Sequence, residues 1–136
     1  MKTTRQRGFT LLELIAVIAI IGIIAAFTIP SLLEGSAAAH ETAAHTWLHH
    51  LQKAQTAYQA RESRCGTFDE LRARDLIRDV PASYEITVEV TDGGASYRAR
   101  ATPKIAAERR RHFYIDATGV VRFESGAAAT EVSAPL

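Results

Sequence analysis

The chain has 136 residues, a formal net charge of +1 and one cysteine, Cys65. This length predicts one small domain beside whatever the N-terminus contributes, and the balanced charge gives no sign of a nucleic-acid partner. A single cysteine excludes an internal disulfide, so packing must hold the fold together. A buried, unreactive thiol is the favoured interpretation of Cys65, and a bridge to another chain is the alternative.

The N-terminus joins a basic head to a long apolar run. Lys2, Arg5 and Arg7 precede residues 9–29, which are almost entirely apolar. As a helix this run is about 31 Å long, which matches the roughly 30 Å thickness of a bilayer's hydrocarbon core. The positive-inside rule keeps the basic head in the cytoplasm and sends the rest of the chain across the membrane. We therefore predict a single-pass membrane precursor.

An acid, Glu13, interrupts the apolar run one turn from its start. A plain signal anchor would gain nothing from it, because an acid near the middle of a bilayer costs roughly 2.5–3.5 kcal/mol, and less near the end. A cleaved secretory signal is a second simple interpretation, with a cut after Ala39 in the small residues 36–40. The run is longer than the usual core of about 7–15 residues in such signals. Glu13 therefore predicts a partner for its carboxylate.

The stretch RGFTLLELIAVIAIIGIIAAFTIP, residues 7–30, resembles the N-terminus of type IV pilins and the related pseudopilins and competence pilins. In that family a basic leader ends in glycine, and a prepilin peptidase cuts after it and N-methylates the new first residue. An acid occupies the fifth position of the mature chain. Gly8, Phe9 and Glu13 stand at these places here. The resemblance covers only this N-terminal segment, but it combines several constraints at fixed offsets.

The resemblance implies a structural subunit of a type IV pilus-like filament. It would be made in the inner membrane with its N-terminus in the cytoplasm, and would end in an extracellular or periplasmic filament. Its partners would be further copies and other pilins, the prepilin peptidase, an assembly ATPase and an inner-membrane platform protein. The residues show no recognisable catalytic constellation, so we predict no enzyme, no metal site and no cofactor.

The family also suggests a partner for the acid. After the cut, Phe9 carries a charged amine, and Glu13 of one copy could pair with that amine on a neighbour. A paired buried charge is tolerable where a lone one is expensive, so the pair would favour a defined stagger between copies. The alternative is that Glu13 is simply protonated in lipid.

Three other functions stay open. Two belong to the same family: a pseudopilin of type II secretion and a DNA-uptake pilin. The third is a single-pass anchored binding domain that never assembles. The predicted organisation is common to the pilin interpretations: a leader removed from 1–8, an assembly and transmembrane helix at 9–35, an amphipathic helical half at 36–63 and a head at 64–136.

Gly22 and Pro30 predict a weak point in the long helix. Pro30 has no N–H and its ring clashes with the carbonyl of Ala26, and glycine also lowers helix stability. The helix should kink or loosen near residues 26–30. The resemblance implies that this segment can unwind inside a filament, while a simple kink at the membrane exit is the alternative.

Helical periodicity continues over residues 37–61. An apolar stripe of core-facing width predicts an amphipathic helix that packs on a small domain; it comprises Ala44, Trp47, Leu48, Leu51, Ala54 and Tyr58. His45 and His49 are spaced four residues apart, which would let two imidazoles reach one metal ion. Because no further ligand completes a site, solvated histidines are the favoured interpretation.

The last part of the chain predicts a small antiparallel sheet. Thr67 and Glu70 can cap a short connector helix that Phe68, Leu71, Leu76 and Ile77 dock. Residues 84–90 and 97–102 alternate as two strands of a hairpin, with Glu85 and Glu89 facing Arg98 and Arg100. A second hairpin turns at 117–119, with a core formed by Phe113, Ile115, Val121 and Phe123.

The predicted fold class is α+β, with a long N-terminal helix packed on a four-stranded antiparallel sheet, which matches the pilin fold. The tail from residue 125 is small and polar and is predicted to fray. Arg109, Arg110 and Arg111 form the dense basic run of the chain. They could contact DNA, but a solvated loop is the favoured interpretation.

Overall fold

A computed structural model describes residues 9–105 and 110–136. The chain divides into two compact units, Met1–Ser36 and Ala37–Leu136. The described residues form two helices and five strands, with one short 3-10 turn at Asp92–Gly94 between the first two strands. In chain order they are α1 Leu11–Glu62, α2 Phe68–Ala73, β1 Tyr84–Thr91, β2 Ser96–Pro103, β3 Arg111–Asp116, β4 Arg122–Ser125 and β5 Ala134–Pro135.

The strands form one antiparallel sheet in the order β1-β2-β3-β4-β5, so each strand pairs with its neighbour in sequence. The second half of α1 packs on one face of this sheet. The predicted α+β class, a long N-terminal helix on an antiparallel sheet, is confirmed. The predicted number of strands was wrong, because the sheet has five strands and not four.

The fifth strand comes from the tail that we expected to fray. Ala134 pairs with Phe123, and the Leu136 N–H donates to the Val121 carbonyl at 2.9 Å. A turn closed by the Ser133 N–H and the Thr130 carbonyl, 3.1 Å apart, brings the tail back. Without β5, β4 would be the edge of the sheet and would leave backbone N–H and C=O groups unpaired. The backbone of even a small, polar tail can pair with these groups. Side-chain composition therefore says little about this pairing.

The core lies between the α1 stripe and the inner face of the sheet. All six stripe residues predicted from the sequence are buried, and Leu48 and Leu51 are completely enclosed. Burying a leucine fully contributes about 1.5–3 kcal/mol. Because side chains alternate along a strand, every second residue of the sheet faces this helix; the buried members are Tyr84, Tyr97, Ala99, Ala101, Phe113 and Ile115. Val121, just before β4, is buried in the same core.

The connector after α1 forms as predicted. The Thr67 side chain accepts from the Glu70 N–H at the start of α2. The Thr67 N–H in turn donates to Glu70 Oε2 at 2.8 Å, which completes the capping box. Leu71 and Ile77 are buried. The Trp47 indole N–H donates to the Arg78 carbonyl at 3.0 Å, so the helix also holds the loop after α2.

The hairpins confirm the strand predictions, with one correction in register. Glu89 lies opposite Arg98, and the two side chains pair at 2.5 Å. Glu85 lies opposite Thr102 and not opposite an arginine, so its predicted pairing was wrong. The turn pairs Thr91 with Ser96, and in this register Glu85 lies beyond the partners of both arginines. The alternation of side chains alone does not fix that register. The second turn is closed by the Gly119 N–H and the Asp116 carbonyl, 3.0 Å apart.

Gln55 is a buried polar residue that the predicted stripe omits. Its amide donates to the Gly66 carbonyl at 2.7 Å and accepts from the Gly66 N–H at 2.9 Å. A Cβ at Gly66 would lie 3.1 Å from both Leu71 and the Tyr58 ring, so a larger residue here would require these side chains to shift. Gln55 thus satisfies the buried backbone where the chain leaves α1 and turns toward α2.

We predict that Gln55→Leu destabilises the head by about 2–4 kcal/mol, because it leaves two buried backbone groups of Gly66 without partners. The free energy of unfolding can be followed in detergent by the fluorescence of Trp47, the single tryptophan. Gln59→Leu is the matched control: Gln59 is exposed on the same helix, and the change should cost less than about 0.5 kcal/mol. Equal losses in the two variants would contradict this role of Gln55.

Candidate assembly site

The apolar half of α1 is exposed along its length. Among the residues that the structure describes, α1 is the one helix long and apolar enough to cross a membrane, and its apolar window has no buried residue. Phe9, Leu11 and Leu12 are 78%, 77% and 78% exposed. A continuous apolar surface of this size marks contact with lipid or with other protein. The described part of this unit therefore presents a surface that must be covered by something else.

The first turn of α1 is closed by a capping box between Thr10 and Glu13. The Glu13 N–H donates to Thr10 Oγ1 at 3.2 Å, and the Thr10 N–H donates to Glu13 Oε2 at 3.0 Å. The Thr10 hydroxyl also donates to Glu13 Oε2 at 2.9 Å. The first turn of a helix has N–H groups without helical partners, and these contacts satisfy two donors there.

The box gives Glu13 a partner inside its own chain, which the sequence interpretation did not include. Both Thr10 donors use the same oxygen, Oε2. Within the described residues no hydrogen bond reaches Oε1, so this oxygen is open to a further donor. Sequence reasoning missed Thr10, although the spacing Thr10-x-x-Glu13 repeats the Thr67-x-x-Glu70 pattern that was identified in the head.

Phe9 and Gly8 flank the predicted processing point. Phe9 lies just before Thr10 and is exposed, whereas Gly8, like Lys2, Arg5 and Arg7, lies outside the described residues. A cut at this bond would place a new amine next to the positive end of the helix dipole. A cation is unfavourable at that end and an anion is favourable. The amine would therefore need a nearby carboxylate, and processing at Gly8 and Phe9 stays a prediction.

Gly22 and Pro30 both lie within α1, and the helix is assigned without a break across them. Near Pro30, the Thr28 hydroxyl donates to the Ile24 carbonyl at 2.9 Å, and the Ser31 hydroxyl donates to the Thr28 carbonyl at 2.9 Å. Side-chain bonds of this kind compete with the helical ladder and often accompany bending. The weak point inside a filament stays a prediction.

The basic run is only partly described. Arg109 lies outside the described residues, and Arg110 is half-exposed just before β3. Arg111 is engaged within the head: its N–H donates to Glu41 Oε1 at 3.3 Å and its guanidinium lies 4.8 Å from the centre of the Phe123 ring. The Tyr84 hydroxyl donates to the Arg111 carbonyl at 3.0 Å. DNA contact by this run stays a prediction.

Cys65 is buried, as expected, at 2% exposure. Its N–H donates to the Gly94 carbonyl at 2.7 Å, and burial raises the pKa of its thiol. A raised pKa keeps a thiol protonated and poorly nucleophilic. Across residues 9–105 and 110–136, no three His, Cys, Asp or Glu side chains form a group able to hold a metal ion.

We predict that Thr10→Val loosens the first turn of α1, because it removes the cap while keeping the side-chain shape. Loss of a cap costs about 1 kcal/mol, which corresponds to roughly fivefold faster exchange of the amide hydrogens at the helix start. Hydrogen exchange of the chain in detergent micelles measures this. Thr28→Val, which removes a hydroxyl in mid-helix, should leave these amides unchanged. Unaltered exchange in Thr10→Val would exclude the cap.

The N-terminal segment matches a known family model. Residues 3–29 match the prokaryotic N-terminal methylation motif, and the match includes Gly8, Phe9 and Glu13. It includes Arg5 and Arg7 of the basic head and the whole apolar run of residues 9–29. The motif and the observed capping box thus lie on the same short stretch of chain.

Three curated proteins are similar to part of the chain. The type IV major pilin protein PilA of Myxococcus xanthus is 42% identical over 64 residues, which are 47% of this chain and 29% of that protein. The type IV wide pilus major component PilA4 of Thermus thermophilus is 47% identical over 53 residues, or 39% and 40% of the two chains.

The third is the type II secretion system core protein G of Vibrio cholerae, which is 38% identical over 69 residues, or 51% of this chain and 47% of that protein. Each match spans less than half the length of the relative. The matched names are those of pilins and of a secretion-system core protein. Over part of its length, the chain is therefore similar to type IV pilins and to a type II secretion core protein, and its residues 3–29 match the N-terminal methylation motif.

Proposed function

We propose that this chain is a structural subunit of a type IV pilus-like filament, processed after Gly8 and assembled through the apolar half of α1. The observation that carries the proposal is an exposed apolar helix whose first turn holds one capped carboxylate, Glu13. The similarity to PilA of Myxococcus xanthus and PilA4 of Thermus thermophilus supports it. No catalytic role is proposed.

Processing would convert the membrane precursor into an assembly-competent subunit. The cut removes Lys2, Arg5 and Arg7, which hold the precursor's N-terminus in the cytoplasm by the positive-inside rule. It leaves an amine on Phe9, and methylation of an amine keeps its positive charge. A prepilin peptidase would perform both steps, and an assembly ATPase with an inner-membrane platform protein would drive extension.

Glu13 would then set the position of each subunit against the next. Thr10 holds Oε2, and the open Oε1 can accept a hydrogen bond from the Phe9 amine of a neighbouring copy. Away from water, a carboxylate without a partner is strongly unfavourable, while a paired and hydrogen-bonded one is tolerable. Subunits that bring the two charges together are favoured over all other staggers, so the pair acts as a register device.

A second candidate is a pseudopilin of a type II secretion system. The observation that favours it is the similarity to core protein G of Vibrio cholerae. The matched region covers 51% of this chain. The same processing and the same assembly surface serve both roles. The two roles differ in the location of the filament, which is extracellular for a pilus and periplasmic for a pseudopilus. They also differ in whether surface filaments or secreted proteins are lost when the chain is deleted.

We predict that the mature chain lacks residues 1–8 and begins at a methylated Phe9. Its mass should exceed that of unmodified residues 9–136 by about 14 Da, because one methyl group replaces a hydrogen. Intact-mass measurement of the membrane fraction tests this. Gly8→Val should block the cut, because a β-branched residue hinders close approach of the backbone to a protease. Gly22→Ala is the control, since an added Cβ there meets nothing within 4 Å in the chain. Retention of residues 1–8 in the wild-type chain would indicate a plain anchor, and a cut after Ala39 a secreted domain.

Electron microscopy of sheared cell surfaces separates the two filament roles. Surface filaments that disappear when the chain is deleted, and that contain it, support the pilus. Normal surface filaments with loss of secreted proteins would instead support the pseudopilin.

A further inference from the structure

His45 and His49 form a close pair on α1 within the head. Their Nε2 atoms are 3.2 Å apart, and the rings meet edge to face with centroids 4.6 Å apart. Both side chains are half-buried. The sequence spacing allowed such a pair, but only the structure shows that the two Nε2 atoms face each other instead of pointing separately into solvent.

This separation suits two ligands of one metal ion. Zinc–imidazole bonds are about 2.0–2.1 Å long, so two ligand nitrogens at a right or tetrahedral angle lie about 2.9–3.4 Å apart. The observed distance falls within this interval. The helix backbone holds the two residues on one face, one turn apart, so little rearrangement is needed for both nitrogens to reach a common ion.

The surroundings leave room for the rest of a coordination shell. His45 lines an open groove of about 300 Å³, together with Glu41, Arg111, Phe113 and Leu136. Glu41, which lines the same groove as His45, is engaged with Arg111 and is not counted as a ligand. In the described part of the chain no third His, Cys, Asp or Glu completes the group. Water must therefore supply the remaining ligands.

The ligand type indicates which metal ions the pair would hold. Imidazole nitrogen favours Zn²⁺, Cu²⁺ and Ni²⁺ over Mg²⁺ and Ca²⁺.

We propose that His45 and His49 form a two-histidine chelate for a divalent transition metal ion, with Zn²⁺ as the first candidate and water as the remaining ligands. Both ligands belong to the head of a single chain, so this proposal does not rest on the proposed filament function. It would clamp one turn of α1 beside the end of the sheet.

Calorimetric titration with Zn²⁺ tests the proposal on the full chain in detergent, after treatment with a chelator. We expect one ion per chain, with binding saturated below about 100 μM free Zn²⁺ and an increase in the unfolding midpoint. His45→Gln and His49→Gln should each weaken the affinity about tenfold or more. His50→Gln is the matched control, because His50 is exposed on the same helix and should leave binding unchanged.

A measurement on the unaltered chain covers the case in which a variant fails to fold. Zn²⁺ should shift the Nε2 resonances of two histidines, His45 and His49, and leave those of His40 and His50 in place. No binding at millimolar Zn²⁺ would overturn the proposal, and the pair would then be a direct hydrogen bond. Binding that survives both substitutions, or that only one of them weakens, would overturn the chelate as well.

Discussion

A carboxylate at the start of an otherwise apolar, exposed helix is the constraint on which the account depends. In a bilayer or in the proposed filament, water would be scarce around Glu13, and an unpartnered charge would there be strongly unfavourable. Thr10 satisfies one of its oxygens within the chain. The other oxygen is open, and a processed N-terminus would supply a matching cation. Glu13 therefore caps the helix, and in the proposed filament the same side chain would also set the register.

The two halves of α1 meet different surroundings and are stabilised differently. In Ala37–Leu136 the helix turns a stripe to the sheet, and Gln55 holds the exit from the helix by bonding both backbone groups of Gly66. In Met1–Ser36 the described apolar residues have no cover in the chain. The head can therefore fold by burying its own apolar surface, whereas the described apolar residues of the N-terminal half bury little of theirs within the chain.

Periodicity predicted most of the head because burial follows the helical and strand repeats. The stripe from Ala44 to Tyr58, the Thr67 cap and the alternating strands all obey local rules. The missed features depend on backbone groups or on register. Gln55 is polar yet buried because it bonds the backbone of Gly66. The strand β5 forms because it pairs with the free edge of β4. Glu85 does not face an arginine because the hairpin register places it opposite Thr102. At the candidate assembly site, the sequence predicted Glu13 as a key residue but not Thr10. The Thr10-x-x-Glu13 capping pattern lies at the start of an apolar run, and that run was interpreted only as a membrane-spanning segment.

The most direct test is filament assembly by Glu13→Leu in cells without the wild-type chain, with filaments counted by electron microscopy. If the carboxylate sets the register, the variant should be processed and inserted normally and yet give at least about tenfold fewer filaments, since one partner of a buried charge pair is lost. Glu34→Leu, which alters an exposed acid further along the same helix, should assemble like the wild type. Normal filaments from Glu13→Leu would contradict the account.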